Sequence, residues 1–282
     1  MSLICIIAGL LLERLFEKLQ ELRNFNWFEK YSQWMINHMP GLVEQGRSSI
    51  VILLLPVMLF AGLLQSILAD AFFNVFSLAY AFVIFVYCLG PGDLDKEIDC
   101  YLKARENADE EMAHKCASAI MGEEASNSPD QQIVDVMQNI LYQSNDRFYA
   151  VIFWFMILGP FGALLYRLTS YTSKRSNNKT LTAAAVRLKA ILAWLPAHLV
   201  AIGYALTGNY EGASAGFKGK QKKDDLSESN YNTLVAAGMG ALQNCAPGEE
   251  TACIRSTRGL VLRTLVVWLA FIALLTLMGW IS

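Results

Sequence analysis

The chain has 282 residues, of which 54% are apolar and only 17% are charged, and its formal net charge is −2. Ordinary soluble domains carry about 25% charged residues, so this composition, with a mean hydropathy of +0.34, excludes a typical soluble enzyme. The nearly neutral charge excludes a typical nucleic-acid-binding protein, which has a strong basic excess. Six cysteines are too few for a small disulfide-framework protein.

Four segments are predicted to be transmembrane helices, because each offers the roughly 20 apolar residues that cross about 30 Å of hydrocarbon. They are residues 50–69, 71–92, 148–168 and 261–281. The first two follow each other directly and predict a transmembrane hairpin over residues 50–92. The third contains a Gly-Pro pair near its middle, and proline interrupts the hydrogen bonds of a helix.

Two shorter apolar segments are ambiguous. Residues 3–12 have no basic residue before them and no small-residue cleavage site after them, so they do not predict a secretory signal peptide. Residues 190–206 contain a proline and a histidine, and they predict a re-entrant or interfacial helix. We therefore expect short apolar and amphipathic helices in residues 1–49, and a basic region in residues 169–260 that contains this helix.

An acidic helical insert outside the membrane is predicted for residues 93–147, which carry thirteen acidic and five basic side chains. Asn107 is a candidate N-cap between two of its helices, and Ser128 followed by Pro129 is typical of a helix start. Residues 207–232, rich in Gly, Lys and Ser, predict a flexible loop. Apolar residues at helical spacing follow Pro129, namely Ile133, Val136, Met137, Ile140 and Leu141.

The side of the membrane on which residues 170–260 lie is not decided by charge. With four spans, the Lys and Arg residues divide into ten on one side and eleven on the other. We favour an arrangement that returns most basic residues to the cytoplasm, through a crossing at 190–206 or a re-entrant segment at 148–168. Cys245 and Cys253 could form a disulfide in an oxidising compartment, or remain thiols in the cytoplasm.

Acidic residues near the start of the chain recur every four residues, at Glu13, Glu17 and Glu21, and so lie on one helical face. This stripe indicates either a cation or amine site at the membrane edge or a solvated helix face. The solvated face is favoured for Glu17 and Glu21. Glu13 and Arg14 lie closest to the apolar run, where ionisable groups are costly and more often functional, so both readings stay open for them.

No metal site and no catalytic residue are predicted from motifs. Glu110 and His114 are four residues apart, with Cys116 nearby, but the further ligands that a metal ion needs are missing. We therefore expect a solvated helix face there. The sequence also lacks a phosphate-binding loop, a dinucleotide fingerprint, a nucleophile elbow and a zinc-protease helix.

Three ordered stretches together resemble the AmpE family. They are Leu-Leu-Glu-Arg-Leu-Phe at residues 11–16, the segment from Asn145 to Leu168 with its Phe-Trp-Phe and Gly-Pro-Phe-Gly-Ala-Leu-Leu-Tyr-Arg motifs, and Trp-Leu-Pro-Ala-His-Leu from Trp194. The resemblance covers nearly the whole chain. It implies an inner-membrane regulatory protein associated with the induction of chromosomal β-lactamase in Gram-negative bacteria.

The AmpE family is similar in turn to the cobinamide-phosphate synthase family, membrane enzymes that join an amine to a corrinoid carboxylate. The chain departs from that pattern at residues 169–174, at Lys189 and at His198, where the enzymes have an Asp-Ser-Met-like loop, an acidic pair and an arginine. An amide ligase needs carboxylates to orient a nucleotide phosphate and its metal. The residues of the enzyme pattern that this chain keeps are Asn145, Trp154, Gly159, Arg167, Trp194, Pro196 and Ala197.

The sequence thus predicts an all-α, polytopic helical membrane protein with four spans, re-entrant or interfacial helices and a small helical extramembrane insert. We expect a regulatory protein of the β-lactamase and cell-wall recycling response in the cell inner membrane, which binds an anionic small ligand or a regulatory protein partner without turnover. A membrane-embedded amide ligase that uses a nucleotide with Mg²⁺ is the alternative, and a transporter ranks last. Outside that alternative no cofactor is predicted, and the expected partners include the lipid bilayer but no nucleic acid. The candidate ligand-binding residues are Glu13, Arg14, Asn145, Arg147, Arg167, Trp194 and His198.

Overall fold

The computed structural model describes residues 2–15, 24–39, 41, 46–70, 75–89, 94–126, 128–176, 178–218, 225–242 and 250–279, and within these ranges it contains helices and no strand. The expected all-α fold is confirmed. A 3₁₀ turn at Gly46–Ser48 precedes α3, and a π-helix follows α7. The helices are α1 (Ser2–Leu15), α2 (Asn26–His38), α3 (Ser49–Asp70), α4 (Val75–Cys88), α5 (Leu94–Glu106), α6 (Glu110–Met121), α7 (Pro129–Ser144), the π-helix (Asn145–Tyr149), α8 (Ala150–Arg175), α9 (Lys179–Thr207), α10 (Tyr210–Lys218), α11 (Leu226–Ala241) and α12 (Glu250–Leu277).

Four helical segments are long and apolar enough to cross a membrane, namely Ser49–Leu68, Pro129–Arg175, Lys179–Thr207 and Thr251–Leu277. Large apolar side chains are exposed on these helices. A soluble surface seldom exposes large apolar side chains in such density, so these helices present a surface suited to lipid. The exposed apolar residues on α3 include Leu55, Leu59, Phe60, Leu63 and Ile67.

Two segments differ from their prediction. Where a second span was expected over residues 71–92, the described helix is α4, with 14 residues, fewer than the roughly 20 that a crossing needs. Residues 71–74 and 90–93 lie outside the described residues. The segment 190–206 is part of the 29-residue helix α9, which is long enough to cross. The helix extends through alanines before residue 190, a stretch that the apolar window missed because it also contains basic residues.

Helix α8 bends sharply at Gly159. The backbone of Gly159 has φ 63° and ψ −151°, far from helical values, in a region that only glycine adopts easily. A Cβ atom on Gly162 would collide with the carbonyl oxygen of Trp154. Eight residues in a straight helix would separate these positions by about 12 Å, so the chain folds back locally. The predicted interruption of the third span is confirmed and is far sharper than a proline kink.

The chain divides into two compact units. The first unit comprises Met1–Pro91, Ala150–Ala193 and Ile272–Ser282. Within it, Phe85 of α4 packs against Phe155 of α8, with ring centroids 4.7 Å apart. The largest fully buried side chains of this unit include Ile6, Phe28, Ile50, Leu53, Phe85, Leu89 and Tyr166.

The second unit comprises Gly92–Tyr149 and Trp194–Phe271, and its core joins α5, α6 and α7 to α11 and parts of α9 and α12. The predicted start of α7 is confirmed, with Pro129 in the first turn. The predicted N-cap Asn107 is wrong, because Asp109 accepts the Met112 amide (3.0 Å) at the start of α6. The predicted apolar face of α7 is confirmed, since Ile133, Val136, Met137, Ile140 and Leu141 are all buried.

The glycine-rich stretch expected to be a loop forms helices where it is described. Helices α10 and α11 lie so close that a Cβ atom on Gly212 would collide with the carbonyl oxygen of Gly240, and a Cβ on Gly240 with that of Gly212. The loop prediction for residues 207–232 is therefore wrong over 210–218 and 226–232, and residues 219–224 lie outside the described part. Small residues here permit close helix packing, a use that composition alone does not distinguish from flexibility.

Candidate functional site

A π-helix, Asn145–Tyr149, follows α7 inside the second unit. Such wide turns are rare and occur frequently at functional sites. Asn145 and Asp146 are each only 2% exposed. The side-chain oxygens of Asn145 (Oδ1) and Gln143 (Oε1) are buried and accept no hydrogen bond from the described residues. Buried polar atoms are nearly always hydrogen-bonded, so these two oxygens are ready acceptors for a donor from a bound molecule.

The guanidinium of Arg147, on the same π-helix, pairs with a carboxylate of α5. Arg147 Nη1 lies 2.8 Å from Glu97 Oε2, and the two side chains are only 11% and 22% exposed. A charge pair removed from water costs desolvation energy that its own attraction barely offsets. The pair therefore adds little to stability, but it fixes the position of the Arg147 guanidinium against α5.

A second arginine pairs with the other carboxylates at the start of α5. Arg258 of α12 donates from Nε to Asp95 Oδ1 (2.8 Å) and from Nη1 to Asp99 Oδ1 (2.7 Å). Asp95 and Asp99 are four residues apart and so share a helical face. Helix α5 thus holds three carboxylates against two arginines, Arg147 and Arg258, and this part of the unit is rich in charge.

Hydroxyl groups next to the π-helix form a buried hydrogen-bonded cluster. Ser144 Oγ lies 2.8 Å from the Tyr204 hydroxyl, and Tyr204 donates to the Leu141 carbonyl oxygen (3.1 Å). On α11, the Tyr231 hydroxyl donates to Gln138 Oε1 (3.1 Å). Burial, reinforced by the Asp135 carboxylate, raises the pKa of Tyr231, so its phenol stays protonated and remains a donor.

The structure gathers only some of the predicted site residues. Asn145 and Arg147 share the π-helix. Trp194 and His198 form their own pair on α9, with His198 Nδ1 2.7 Å from the Trp194 carbonyl oxygen and ring centroids 4.6 Å apart. Among the described contacts, no hydrogen bond, ion pair or ring contact joins this pair to the two π-helix residues. Arg167 belongs to the first unit, where its Nε donates to the Cys88 carbonyl oxygen (2.8 Å).

The remaining predictions concern the start of the chain and α6. Glu13 and Arg14 lie on α1, but their side chains are outside the described part, as are Glu17 and Glu21 entirely. His114 Nε2 lies 3.0 Å from the Ala125 carbonyl oxygen. Within the described ranges, no group of three or more His, Cys, Asp or Glu residues is placed to hold a metal ion.

Sequence reasoning missed Glu97, Asp95, Asp99 and Arg258 as site residues. The four-residue spacing of the two aspartates was a usable signal, since it places them on one face of α5. Their pairing with Arg258 depends on residues about 160 positions away, and no local pattern in the sequence reveals such a contact.

A small cavity with a mostly apolar wall and a few polar groups lies in the first unit, between α2 and the end of α8. Its volume is about 50 Å³, and Glu29, Gln33, Tyr171 and Arg175 are among its lining residues. The Tyr171 hydroxyl donates to Glu29 Oε2 at 3.4 Å. A cavity of this size holds a few waters or one small polar group, and it is too small for a nucleotide or a corrinoid.

The chain matches the family described as "Regulatory signalling modulator protein AmpE" over residues 1–282. It is 25% identical to Protein AmpE of Shigella flexneri over 232 residues, which are 77% of this chain and 80% of that protein. It is also 25% identical over 205 residues to the cobalamin biosynthesis protein CobD of Chromobacterium violaceum, which are 70% of this chain and 63% of the relative.

A second CobD protein, from Stutzerimonas stutzeri, is 31% identical over 110 residues, which are 37% of this chain and 36% of that protein. The chain therefore spans less than two thirds of the length of either CobD relative. No solved structure matches the chain. The full-length match and the four long apolar helices agree with the expectation from its motifs: this membrane protein belongs to the AmpE family.

Proposed function

We propose that this protein is a regulatory protein of the inner membrane that takes part in β-lactamase induction and the cell-wall recycling response. It binds a ligand or partner at the π-helix without turning it over. The observation that carries the proposal is the largely buried Glu97–Arg147 pair, together with two amide oxygens within four residues of Arg147 in the chain that accept no described hydrogen bond. The AmpE family, described as a regulatory signalling modulator, supplies the regulatory context.

The chemistry of these groups favours a ligand with an anionic group and a hydrogen-bond donor. Arginine binds carboxylate and phosphate through two parallel hydrogen bonds, so an incoming anion competes with Glu97 for Arg147. The oxygens of Asn145 and Gln143 then accept from a hydroxyl or amide of the same ligand. Because Glu97 must release Arg147, ligand binding changes the contact between α5 and the π-helix, and this change is the regulatory signal.

The test is a complementation experiment. Full-length Arg147→Gln is expressed in a strain that lacks the native gene, and β-lactamase activity is measured after challenge with a β-lactam inducer. We expect induction to fall at least several-fold relative to the wild-type chain at equal membrane abundance. Arg255→Gln is the matched control, because Arg255 pairs with Glu106 on the same helix α5 but is 62% exposed. Normal induction by Arg147→Gln would refute the proposal.

The alternative function is a membrane-embedded amide ligase, favoured by the similarity to two cobalamin biosynthesis proteins. Asp95, Glu97 and Asp99 provide carboxylates that suit Mg²⁺ chemically, although each pairs with an arginine here. The purified protein would then consume a nucleotide when offered amine and carboxylate substrates, and Glu13→Gln or Arg167→Ala would abolish turnover. Absence of any nucleotide consumption would remove this alternative.

A further inference from the structure

Disulfide bonds occur in the second unit. Cys100 of α5 and Cys116 of α6 are bonded with their Cα atoms 6.0 Å apart, inside the usual range of about 4.4–6.8 Å. Cys253, near the start of α12, is disulfide-bonded as well. Its predicted partner, Cys245, lies outside the described residues.

The cysteines of the first unit behave differently. Cys5 on α1 and Cys88 at the end of α4 are buried and remain thiols. Both belong to helices made almost entirely of apolar residues. Disulfide pairing therefore follows the division into units, and each bond includes a cysteine of a helix that carries the charged site, Cys100 on α5 and Cys253 on α12.

We propose that helices α5 and α6 and the start of α12 lie on the extracytoplasmic, oxidising side of the membrane. Disulfides persist in compartments such as the bacterial periplasm, whereas thiols are kept reduced in the cytoplasm. Each bond forms by exchange with an exogenous disulfide of a thiol oxidase. Two cysteine thiols lose two protons and two electrons, and the oxidase disulfide is reduced to two thiols.

The charged site shares this compartment, because Glu97 precedes Cys100 by three residues on α5. Three residues correspond to about 4.5 Å along a helix, so no membrane separates the disulfide from the Glu97–Arg147 pair. A ligand of this site therefore arrives from the extracytoplasmic side. Only this last step rests on the proposed function, since the location of the helices follows from the cysteines alone.

The proposed location of the start of α12 contradicts the expectation from charge, which placed most basic residues of 170–260 in the cytoplasm. The part of that region that carries Cys253 lies outside the cytoplasm instead. The numbers of Lys and Arg residues on the two sides of the membrane, ten and eleven, are nearly equal. They therefore give no argument against a location inferred from two disulfide-bonded sites.

The first test reads the pairing in cells without any substitution. Cells that express the full chain are quenched in acid, thiols are alkylated with N-ethylmaleimide, disulfides are reduced, and the released thiols are alkylated with iodoacetamide before peptide mass spectrometry. We expect Cys100, Cys116 and Cys253 to carry the second label, and Cys5 and Cys88 the first. The first label on Cys100 and Cys116 would overturn the proposal.

The second test reads the side of the membrane. Spheroplasts are treated with a membrane-impermeant phosphine reductant and then with a membrane-impermeant maleimide. Cys100 and Cys116 are expected to be labelled while the membrane is intact, and the matched Cys100→Ala/Cys116→Ala variant to lose this label. Labelling only after permeabilisation would place the helices in the cytoplasm. Neither test measures β-lactamase induction, so a failure here is distinct from a failure of the proposed function.

Discussion

The described contacts of arginine side chains differ between the two units. In the first unit Arg167, 3% exposed, donates to a neutral backbone carbonyl, that of Cys88. In the second unit Arg147 pairs with Glu97, and Arg258 with two aspartates. A carbonyl oxygen that accepts from one guanidinium N–H adds no second charge to the interior. A charge pair that is largely removed from water, such as Glu97–Arg147, is an expensive way to build a stable core, so packing alone does not explain this pair.

The largest effect is expected when one partner of the buried pair is removed. Glu97→Leu leaves the Arg147 charge without its carboxylate and should destabilise the second unit by about 3 kcal/mol. Glu97→Leu/Arg147→Met should recover most of this loss, because both charges are then gone. The midpoint of thermal unfolding in detergent, followed by circular dichroism, measures both. A double variant less stable than Glu97→Leu would contradict the comparison.

The next effect concerns the disulfide of the second unit. Cys100→Ser/Cys116→Ser should lose about 3 kcal/mol or less, since the bond closes a loop of 16 residues in the unfolded chain. In the presence of a reductant, which also opens the bond of Cys253, the unfolding midpoint of the wild-type chain should equal that of the variant in the same reductant. Cys88→Ala, in the first unit, is the control whose reductant response should equal that of the wild-type chain. If the unfolding midpoint of the wild-type chain does not change when the reductant is added, the bond does not stabilise the unit.

A smaller effect is expected from the backbone of the first unit. Gly159→Ala should cost about 1–2 kcal/mol, because a side chain at φ 63° is strained even where space is available. Gly259→Ala is the control, since its Cβ also meets no atom within 4 Å and its φ is not positive. Both are measured by the shift in thermal unfolding. Equal midpoints for the two variants would mean that the bend in α8 is not held at Gly159.

The smallest effect is expected at the exposed pair of the second unit. Arg255 and Glu106 are 62% and 46% exposed, and ion pairs in water contribute about 0–1 kcal/mol. Arg255→Gln should therefore leave the unfolding midpoint nearly unchanged, also in high salt. A fall in the unfolding midpoint as large as that of Glu97→Leu would show that the exposed pair contributes as much to stability as the largely buried pair.

Local patterns predicted those parts of the fold that local physics determines. The start of α7 at Pro129 and its buried face were predicted because capping and helical periodicity act within a few residues. The break at Gly159 was predicted for the same reason. The helices α10 and α11 were not, because the role of Gly212 depends on the approach of Gly240, which only the folded chain provides.

The candidate site was predicted less well. Asn145 and Arg147 were identified through the motif that resembles the AmpE family, and the structure places them on one π-helix. Glu97 and Arg258 were missed because their partners are distant in sequence. The bond between Cys100 and Cys116 was not predicted, since it depends on how α5 and α6 pack.

The central claim is that the Glu97–Arg147 pair serves ligand binding and not stability. The most direct measurement is β-lactamase induction by Glu97→Leu/Arg147→Met, alongside its unfolding midpoint and its abundance in the membrane. The account predicts a folded, membrane-inserted protein that fails to support induction. Normal induction by this folded double variant would contradict the account.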